Sequence, residues 1–311
     1  MKPVAFLVFN RPDCTRRTFE AIRAARPEKL YVIADGPRES RQGEKEKCAL
    51  VRKIIDDGVD WPCDVFRNYS SENLGCGARV SSGLDWAFSK CDKLIVVEDD
   101  VLPDQSFFWL CDELLDRYEN DQRVGQISAS PFICNQIDSP YSYIFSRYGS
   151  IWGWASWSRA WKHYSFLMDS WPEIRESGDF RTFIPFGMER RFKRPVYDKL
   201  RNREIDTWDL QWGYAKMSNS MLSAVSTCNL IENLGFSAEA THTFDPSQNI
   251  LRPGRLELPL KHPPRVLADA DFVEEFSISC VPAGWKRKFA RFLQRFDRFL
   301  AREKFTSRKS H

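Results

Sequence analysis

Residues 94–103, which read LIVVEDDVLP, decide the fold class of this 311-residue chain. The apolar run at 94–97 predicts a strand covered on both faces, and three acidic residues follow it without a spacer. Neighbouring carboxylates at a buried strand end raise one another's pKa values unless a cation is present. Oxygen ligands of this kind suit Mn²⁺ or Mg²⁺, whereas the alternative is an acidic turn in solvent. We therefore expect a metal site at 98–100.

Strand and helix patterns alternate around that stretch over the first 125 residues. The predicted strands are 4–9, 30–34, 63–68 and 94–97. The predicted helices are 15–25, 41–57, 79–89 and 107–115. Such repeated units imply an α/β protein with a mainly parallel sheet flanked by helices, and ligands bind beyond the carboxyl ends of its strands.

Polar residues follow three of these strands at the edge where a ligand is expected. Asn10 and Arg11 come after the first strand, and an arginine fork can hold a phosphate. Asp35 comes after the second strand and can accept a hydrogen bond from a base. Asn73 and Gly75 belong to a loop that opens a helix, where backbone N–H groups can meet a nucleotide or its diphosphate. The set predicts a nucleotide site.

Composition and charge narrow the classes of protein that the chain can represent. Hydrophobic residues make up 42% and charged residues 29%, which is typical of a globular protein rather than of collagen, a disordered chain or a multi-span membrane protein. The net charge of +3 is unevenly spread: residues 285–311 carry ten basic and two acidic side chains, or +8, which leaves −5 for residues 1–284. A nucleic-acid binder with basic charge across its folded domain is not indicated.

The basic tail contains the most amphipathic segment of the sequence, at 285–304. Its apolar residues fall on one stripe and its basic residues lie opposite. Two interpretations stay open: a terminal helix that packs on the body, or an interfacial helix on an anionic membrane surface.

The nine cysteines show neither CxxC pairs nor zinc-ligand spacing with histidine. Free thiols in a reducing compartment fit this pattern better than a disulfide framework. The apolar run at 4–9 is too short for a secretion signal and fits a buried strand better. We therefore expect a cytoplasmic protein, which the tail helix could hold at the inner face of the membrane.

The pattern changes after residue 125. Strands are predicted at 124–130 and 142–147, followed by long loops rich in Trp, Gly, Ser and Pro and a Pro-rich extended segment at 252–264. We expect two halves, at 1–125 and 126–280, and the tail helix within 281–311.

At these motifs the chain resembles the GT-A fold glycosyltransferases, in particular the branch of the inverting N-acetylglucosaminyltransferase I enzymes and their bacterial relatives. The resemblance covers roughly residues 3–245. The matching segments are VFNRP at 8–12, IADGP at 33–37, NLG at 73–75, VVEDDVLPDQSFF at 96–108, IWGWASW at 151–157 and TWDLQW at 207–212.

The resemblance implies that 1–125 is the nucleotide-sugar-binding half and 126–280 the acceptor-binding and catalytic half. It also implies roles in donor binding for several residues. Arg11 would contact the nucleotide near its base or phosphate, and Asp35 would hold the uracil edge. Glu98 and Asp99 would meet the ribose and the donor sugar, while Asp100 would bind the metal. The loop of Trp152, Gly153 and Trp154 would form a wall of the sugar pocket.

The resemblance also implies a general base and a further metal contact. Asp209 lies where the family carries its base, although the family has two adjacent acids there and this chain has Asp209 followed by Leu210. Asp206 is a second candidate for that reason. His242, downstream of the base, would be a metal ligand or a phosphate contact.

The implied activity is an inverting, metal-dependent transfer from a UDP-sugar, with UDP-N-acetylglucosamine as one candidate donor, to a saccharide or lipid-linked acceptor. One alternative is a sugar nucleotidyltransferase, which usually has a glycine-rich, basic loop after the first strand, unlike 9–12 here. Another alternative is a non-catalytic scaffold that binds saccharides or a membrane.

Overall fold

The computed structural model of the chain describes residues 1–236 and 252–279. Its ten strands in those ranges are β1 Val4–Val8, β2 Lys29–Ala34, β3 Asp64–Tyr69, β4 Lys93–Glu98, β5 Val101–Pro103, β6 Val124–Ser128, β7 Tyr143–Ser146, β8 Trp154–Trp157, β9 Leu222–Ser226 and β10 Ile231–Asn233. Its α-helices there are α1 Pro12–Ala25, α2 Glu44–Gly58, α3 Cys76–Phe88, α4 Gln105–Arg117, α5 Ser158–Trp161, α6 Trp171–Ser177, α7 Phe180–Phe183, α8 Gly187–Arg201, α9 Asp209–Ser218 and α10 Ala270–Ser279.

Eight strands form one mixed sheet in the order β3-β2-β1-β4-β8-β6-β9-β7. β1, β2, β3 and β4 run parallel, and so do β6 and β9, whereas β8 and β7 pair antiparallel with their neighbours. β5 and β10 form a separate two-stranded sheet. The predicted α/β class with a mainly parallel sheet flanked by helices is confirmed.

The core explains why the apolar runs became central strands. All five residues of β1 and the four central residues of β4 are buried, because helices cover both faces of the sheet. On one face, α1 buries Phe19 and Ile22. On the other face, α3 buries Val80 and Leu84. This packing fixes the carboxyl ends of β1 and β4 side by side.

The second half extends the same sheet and adds a helical insertion. β6 and β7 lie where strands at 124–130 and 142–147 are predicted, and residues 252–264 contain neither helix nor strand. Helices α5 to α8 enter between β8 and α9. Because β4 pairs with β8, the two predicted halves share one sheet, and the boundaries at 125 and 280 stay a prediction.

Across residues 1–236 and 252–279, no helix combines the length and apolar character needed to cross a bilayer. The tail helix predicted at 285–304 lies outside those ranges, so its two interpretations stay open.

A buried lysine in α9 makes the stability of the protein depend on pH. Lys216 Nζ donates to Ser223 Oγ at 2.6 Å. Burial, together with the charge of Lys193, lowers the pKa of Lys216 to about 7. The unfolded side chain titrates near about 10.4, so between the two values only the unfolded chain binds the proton. The free energy of unfolding therefore rises with pH across this window.

We expect Lys216→Met to remove this dependence. From pH 7 to pH 9.5 the wild-type protein should gain about 1–3 kcal/mol more unfolding free energy than the variant. Urea denaturation at both pH values measures the difference. Lys45→Met, at an exposed position of α2, is the matched control and should follow the wild type. Equal slopes for wild type and Lys216→Met would contradict the expectation.

Candidate functional site

The acidic triplet lies at the carboxyl end of β4, beside the end of β1. The Asp99 carboxylate is buried and accepts a hydrogen bond from the backbone N–H of Phe9 at 3.1 Å. Glu98 Oε1 is buried without a hydrogen-bond partner in the part of the chain that the structure describes. Asp100 keeps 20% of its side chain exposed. The triplet thus combines one buried acid, Asp99, with two partly exposed acids, of which Glu98 has one buried oxygen.

Burial and mutual repulsion disfavour ionisation of the triplet. Burial raises the pKa of Glu98 well above its ordinary value, and the charges of Asp100, Asp99 and Asp209 add to that rise. Burial and Asp100 raise the pKa of Asp99 to about 7. Carboxyl groups that are desolvated and repel one another are typical of a site whose ligand brings a positive charge.

Arg11 supplies one positive charge at this end of the sheet. It precedes α1, and its guanidinium forms an ion pair with Asp100 and lies 3.9 Å from Asp99. Its neighbour Asn10 turns away and donates to Glu44 Oε1 at 2.8 Å, where Arg38 also binds. The structure therefore joins Arg11 to the acidic triplet, while its nucleotide contact and that of Asn10 stay predictions.

Asp35 organises the loop after β3. Its carboxylate accepts from the N–H groups of Gly36 at 2.9 Å, Leu74 at 3.0 Å and Gly75 at 3.2 Å, and from Asn73 Nδ2 at 3.0 Å. A carboxylate has about four acceptor positions, so protein donors already fill them. A uracil edge would have to displace one of these donors.

Asp206 holds the N-terminus of α3 from across the chain. Its carboxylate accepts from the N–H of Cys76 at 3.1 Å and from that of Gly77 at 2.8 Å. The N-cap residue Gly75 has φ +81°, and a Cβ there would lie 2.7 Å from Asp206 Oδ2. Glycine is required because both the backbone angle and the close approach exclude a side chain. The N–H groups predicted to meet a diphosphate are thus occupied by Asp206.

We expect Asp206→Ala to lower the unfolding free energy by about 1–2 kcal/mol, because α3 loses its side-chain cap and a charge that favours the positive end of the helix dipole. Thermal and urea unfolding measure the change. Asp206→Asn keeps an acceptor oxygen and should lose less. If Asp206→Ala unfolds like the wild type, the cap contributes nothing to stability.

Asp209 and Cys76 lie near the acidic triplet. Asp209 begins α9 and accepts a hydrogen bond from Thr207 Oγ1. Cys76 keeps an exposed surface, yet the surrounding protein atoms desolvate its thiol and raise its pKa, and the charges of Glu98, Asp206, Asp209 and Asp100 add to that rise. The Cys76 thiol therefore lies among acids of both halves. Sequence reasoning missed it, although it directly follows Gly75 in the chain.

The aromatic loop before β8 divides into an accessible part and a core part. Trp154 is 0% exposed and stacks on Trp208 at 5.6 Å between ring centres. Trp152 is partly exposed and meets the exposed Phe132 edge-to-face at 5.0 Å. Gly153 between them has φ +65°. Trp154 is thus a core residue, a correction to its predicted place in a pocket wall, and Trp152 alone of the two rings can line a sugar pocket.

The donor set fits a metal that takes few ligands from the protein. Within the described ranges, no three His, Cys, Asp or Glu side chains are placed to hold an ion by themselves. Asp100 offers a carboxylate that is 20% exposed. The backbone of Gly235 packs against it so closely that a Cβ there would lie 2.5 Å from Asp100 Oδ2, and glycine keeps that side of the carboxylate free of a side chain. Phosphate oxygens of a substrate would have to supply further ligands. His242 lies outside the described residues, so its metal contact stays a prediction.

No protein-family model and no curated protein matches this sequence. Among solved structures, the chain is similar to HddC from Yersinia pseudotuberculosis, with 13% identity over 55% of this chain and 86% of that chain and a TM-score of 0.34. TarS 1-349 from S. aureus has 8% identity over 74% and 58%, with a TM-score of 0.38. A UDP-glucose pyrophosphorylase complexed with UDP-glucose has 10% identity over 52% and 78%, with a TM-score of 0.32. These likenesses are too distant to indicate an activity.

Proposed function

We propose that this protein is an inverting, metal-dependent glycosyltransferase that moves a sugar from a UDP-sugar to a saccharide or lipid-linked saccharide. One observation carries the proposal: a carboxylate from residues 98–100 and one from residue 209 lie close together near the end of β4. Asp100 comes from the first half, and Asp209 from the second, and both charges act on Glu98 and Cys76. The motif resemblance assigns these two acids complementary roles.

Different residues of the chain would take the separate roles that an inverting transfer requires. Asp209 would accept the proton of the acceptor hydroxyl while the hydroxyl oxygen bonds to the anomeric carbon and the bond to the UDP oxygen breaks. Asp206 is less suited to be the base, because its oxygens already accept from two backbone N–H groups of α3. Trp152 would present its ring face to the apolar face of a sugar.

Asp100 would hold the Mn²⁺ or Mg²⁺ ion. When bound, such an ion takes up negative charge on the leaving diphosphate. Arg11 lies against the same carboxylate, so its guanidinium would be placed to bind a phosphate oxygen of the donor beside Asp100. Asp99 and Glu98 would line the ribose and sugar side of the cleft, as the resemblance implies.

The alternative of a sugar nucleotidyltransferase needs a different first loop. The chain passes from β1 to α1 through Phe9, Asn10 and Arg11, and Pro12 begins the helix. This short connection offers one basic side chain and no glycine, so it supports the glycosyltransferase better.

The test is UDP release from a panel of UDP-sugars, with Mn²⁺ and with EDTA. We expect metal-dependent hydrolysis of one donor, which would name the sugar. In parallel, pyrophosphate release from nucleoside triphosphates and sugar 1-phosphates tests the nucleotidyltransferase. Pyrophosphate release without UDP release would overturn the proposal, and no response in either assay from folded protein would favour the scaffold.

A further inference from the structure

The helical insertion carries a depression of about 550 Å³ that is lined mainly by arginines. It lies between α6, α7 and α8, and none of the residues assigned to the proposed transfer lines it. Its charged lining residues are Arg175, Arg181, Arg190, Arg191, Arg194 and Glu176. Five guanidinium groups and one carboxylate give the lining a net charge of +4.

Part of this arginine pocket is fixed by the protein itself. Arg190 Nη1 donates to the carbonyl oxygens of Ile184 at 2.7 Å and Pro185 at 2.6 Å. Arg175 Nε lies 3.0 Å from Asp198 Oδ1. The Phe180 ring, which is buried, also lines the pocket. Two guanidinium groups are therefore held in place before any ligand arrives, which lowers the entropy cost of binding.

Two of the remaining guanidinium groups carry positive charge that no acidic residue in the described ranges neutralises. Arg181 and Arg194 are exposed, and neither guanidinium group makes a hydrogen bond or ion pair with a residue in the described ranges. The 15-residue helix α8 begins at Gly187 on the rim, so the positive end of its dipole adds to the same field. Like charges gathered around one depression repel one another unless an anion joins them.

We infer that the arginine pocket binds a ligand that carries phosphate ester groups. The planar guanidinium fork matches two oxygens of a phosphate, and several forks from three helices can surround one or more such groups. The volume lies in the range of small-molecule sites. The binding does not depend on the proposed function. Should that function hold, α8 leads within five residues to Asp206, and the ligand would be part of the acceptor.

The experiment compares the full chain with Arg181→Gln/Arg194→Gln by calorimetric titration with inorganic pyrophosphate in EDTA. Both arginines are exposed, so the double variant should have the same melting temperature as the wild type. If its melting temperature is lower, the single variant Arg194→Gln replaces it in the titration. Arg16→Gln/Arg26→Gln in and beside α1 removes the same charge from another surface and is the matched control. We expect the pocket variant to bind about tenfold more weakly or worse, and the control to bind like the wild type.

Vesicles of phosphatidylglycerol and phosphatidylcholine, against phosphatidylcholine alone, separate the two sources of phosphate. If the pocket variant loses both pyrophosphate and anionic vesicles relative to the control, the ligand is a lipid headgroup. If it loses pyrophosphate only, the ligand is a soluble phosphate ester. Equal pyrophosphate binding by all three proteins, or no binding by the wild type, would overturn the inference.

Discussion

Asp100→Asn is expected to reduce metal-dependent UDP release by roughly a thousandfold or more, since a bound metal contributes several kcal/mol of charge stabilisation on the leaving group. The expected cause is lost retention of the ion in the presence of UDP. Rates of UDP release over a range of Mn²⁺ concentrations, together with Mn²⁺ binding followed by electron paramagnetic resonance, measure both effects.

The folded state should survive this substitution, which makes the loss interpretable. Asp100 pairs with Arg11, but its charge also raises the pKa values of Glu98 and Asp99. Its removal therefore costs an ion pair and relieves repulsion, and we expect a melting temperature close to that of the wild type. Asp13→Asn, whose carboxyl is 98% exposed, is the matched control. Unchanged Mn²⁺ binding and UDP release in Asp100→Asn would remove Asp100 from the metal site.

The central strands could be predicted because their signal is local. A strand buried on both faces must be apolar along its length, so residues 94–97 identify β4, and the observed strand adds only Lys93 and Glu98. The first residues of helices were harder to predict from the sequence. The helix predicted at 79–89 begins at Cys76, because Asp206 caps N–H groups 130 and 129 residues away. No local pattern records such a partner.

Some features of the candidate site could also be predicted from the sequence, whereas others depend on the tertiary fold. The acids at 98–100 stand together in the sequence and could be found there. The pairing of Arg11 with Asp100 joins residues 89 positions apart and depends on β1 lying beside β4. Whether Trp152 or Trp154 is exposed depends on the register of β8 between β4 and β6, which buries Trp154. The sequence pattern predicts the ligand class of a residue, whereas its neighbours follow from the tertiary fold.

Asp209→Asn is expected to lower kcat by about 10²–10⁴-fold, the usual contribution of a positioned general base. The KM for the donor and the affinity for UDP with Mn²⁺ should change little, because Asp100 and the nucleotide half remain intact. Initial rates with a saturating acceptor measure kcat, and calorimetry with UDP and Mn²⁺ measures donor-site binding. A donor KM that rises with unchanged kcat would give Asp209 a binding role instead.

Asp206→Asn separates the two candidate bases within one short segment. Asp206 binds backbone N–H groups of α3, so its substitution should act mainly on stability, with a loss of kcat far smaller than that in Asp209→Asn. The substitution at Asp209 should do the reverse, since its described partner is the single hydroxyl of Thr207. If instead Asp206→Asn loses kcat at an unchanged melting temperature while Asp209→Asn stays active, Asp206 is the base. Substrate must then displace it from α3 before the proton can transfer.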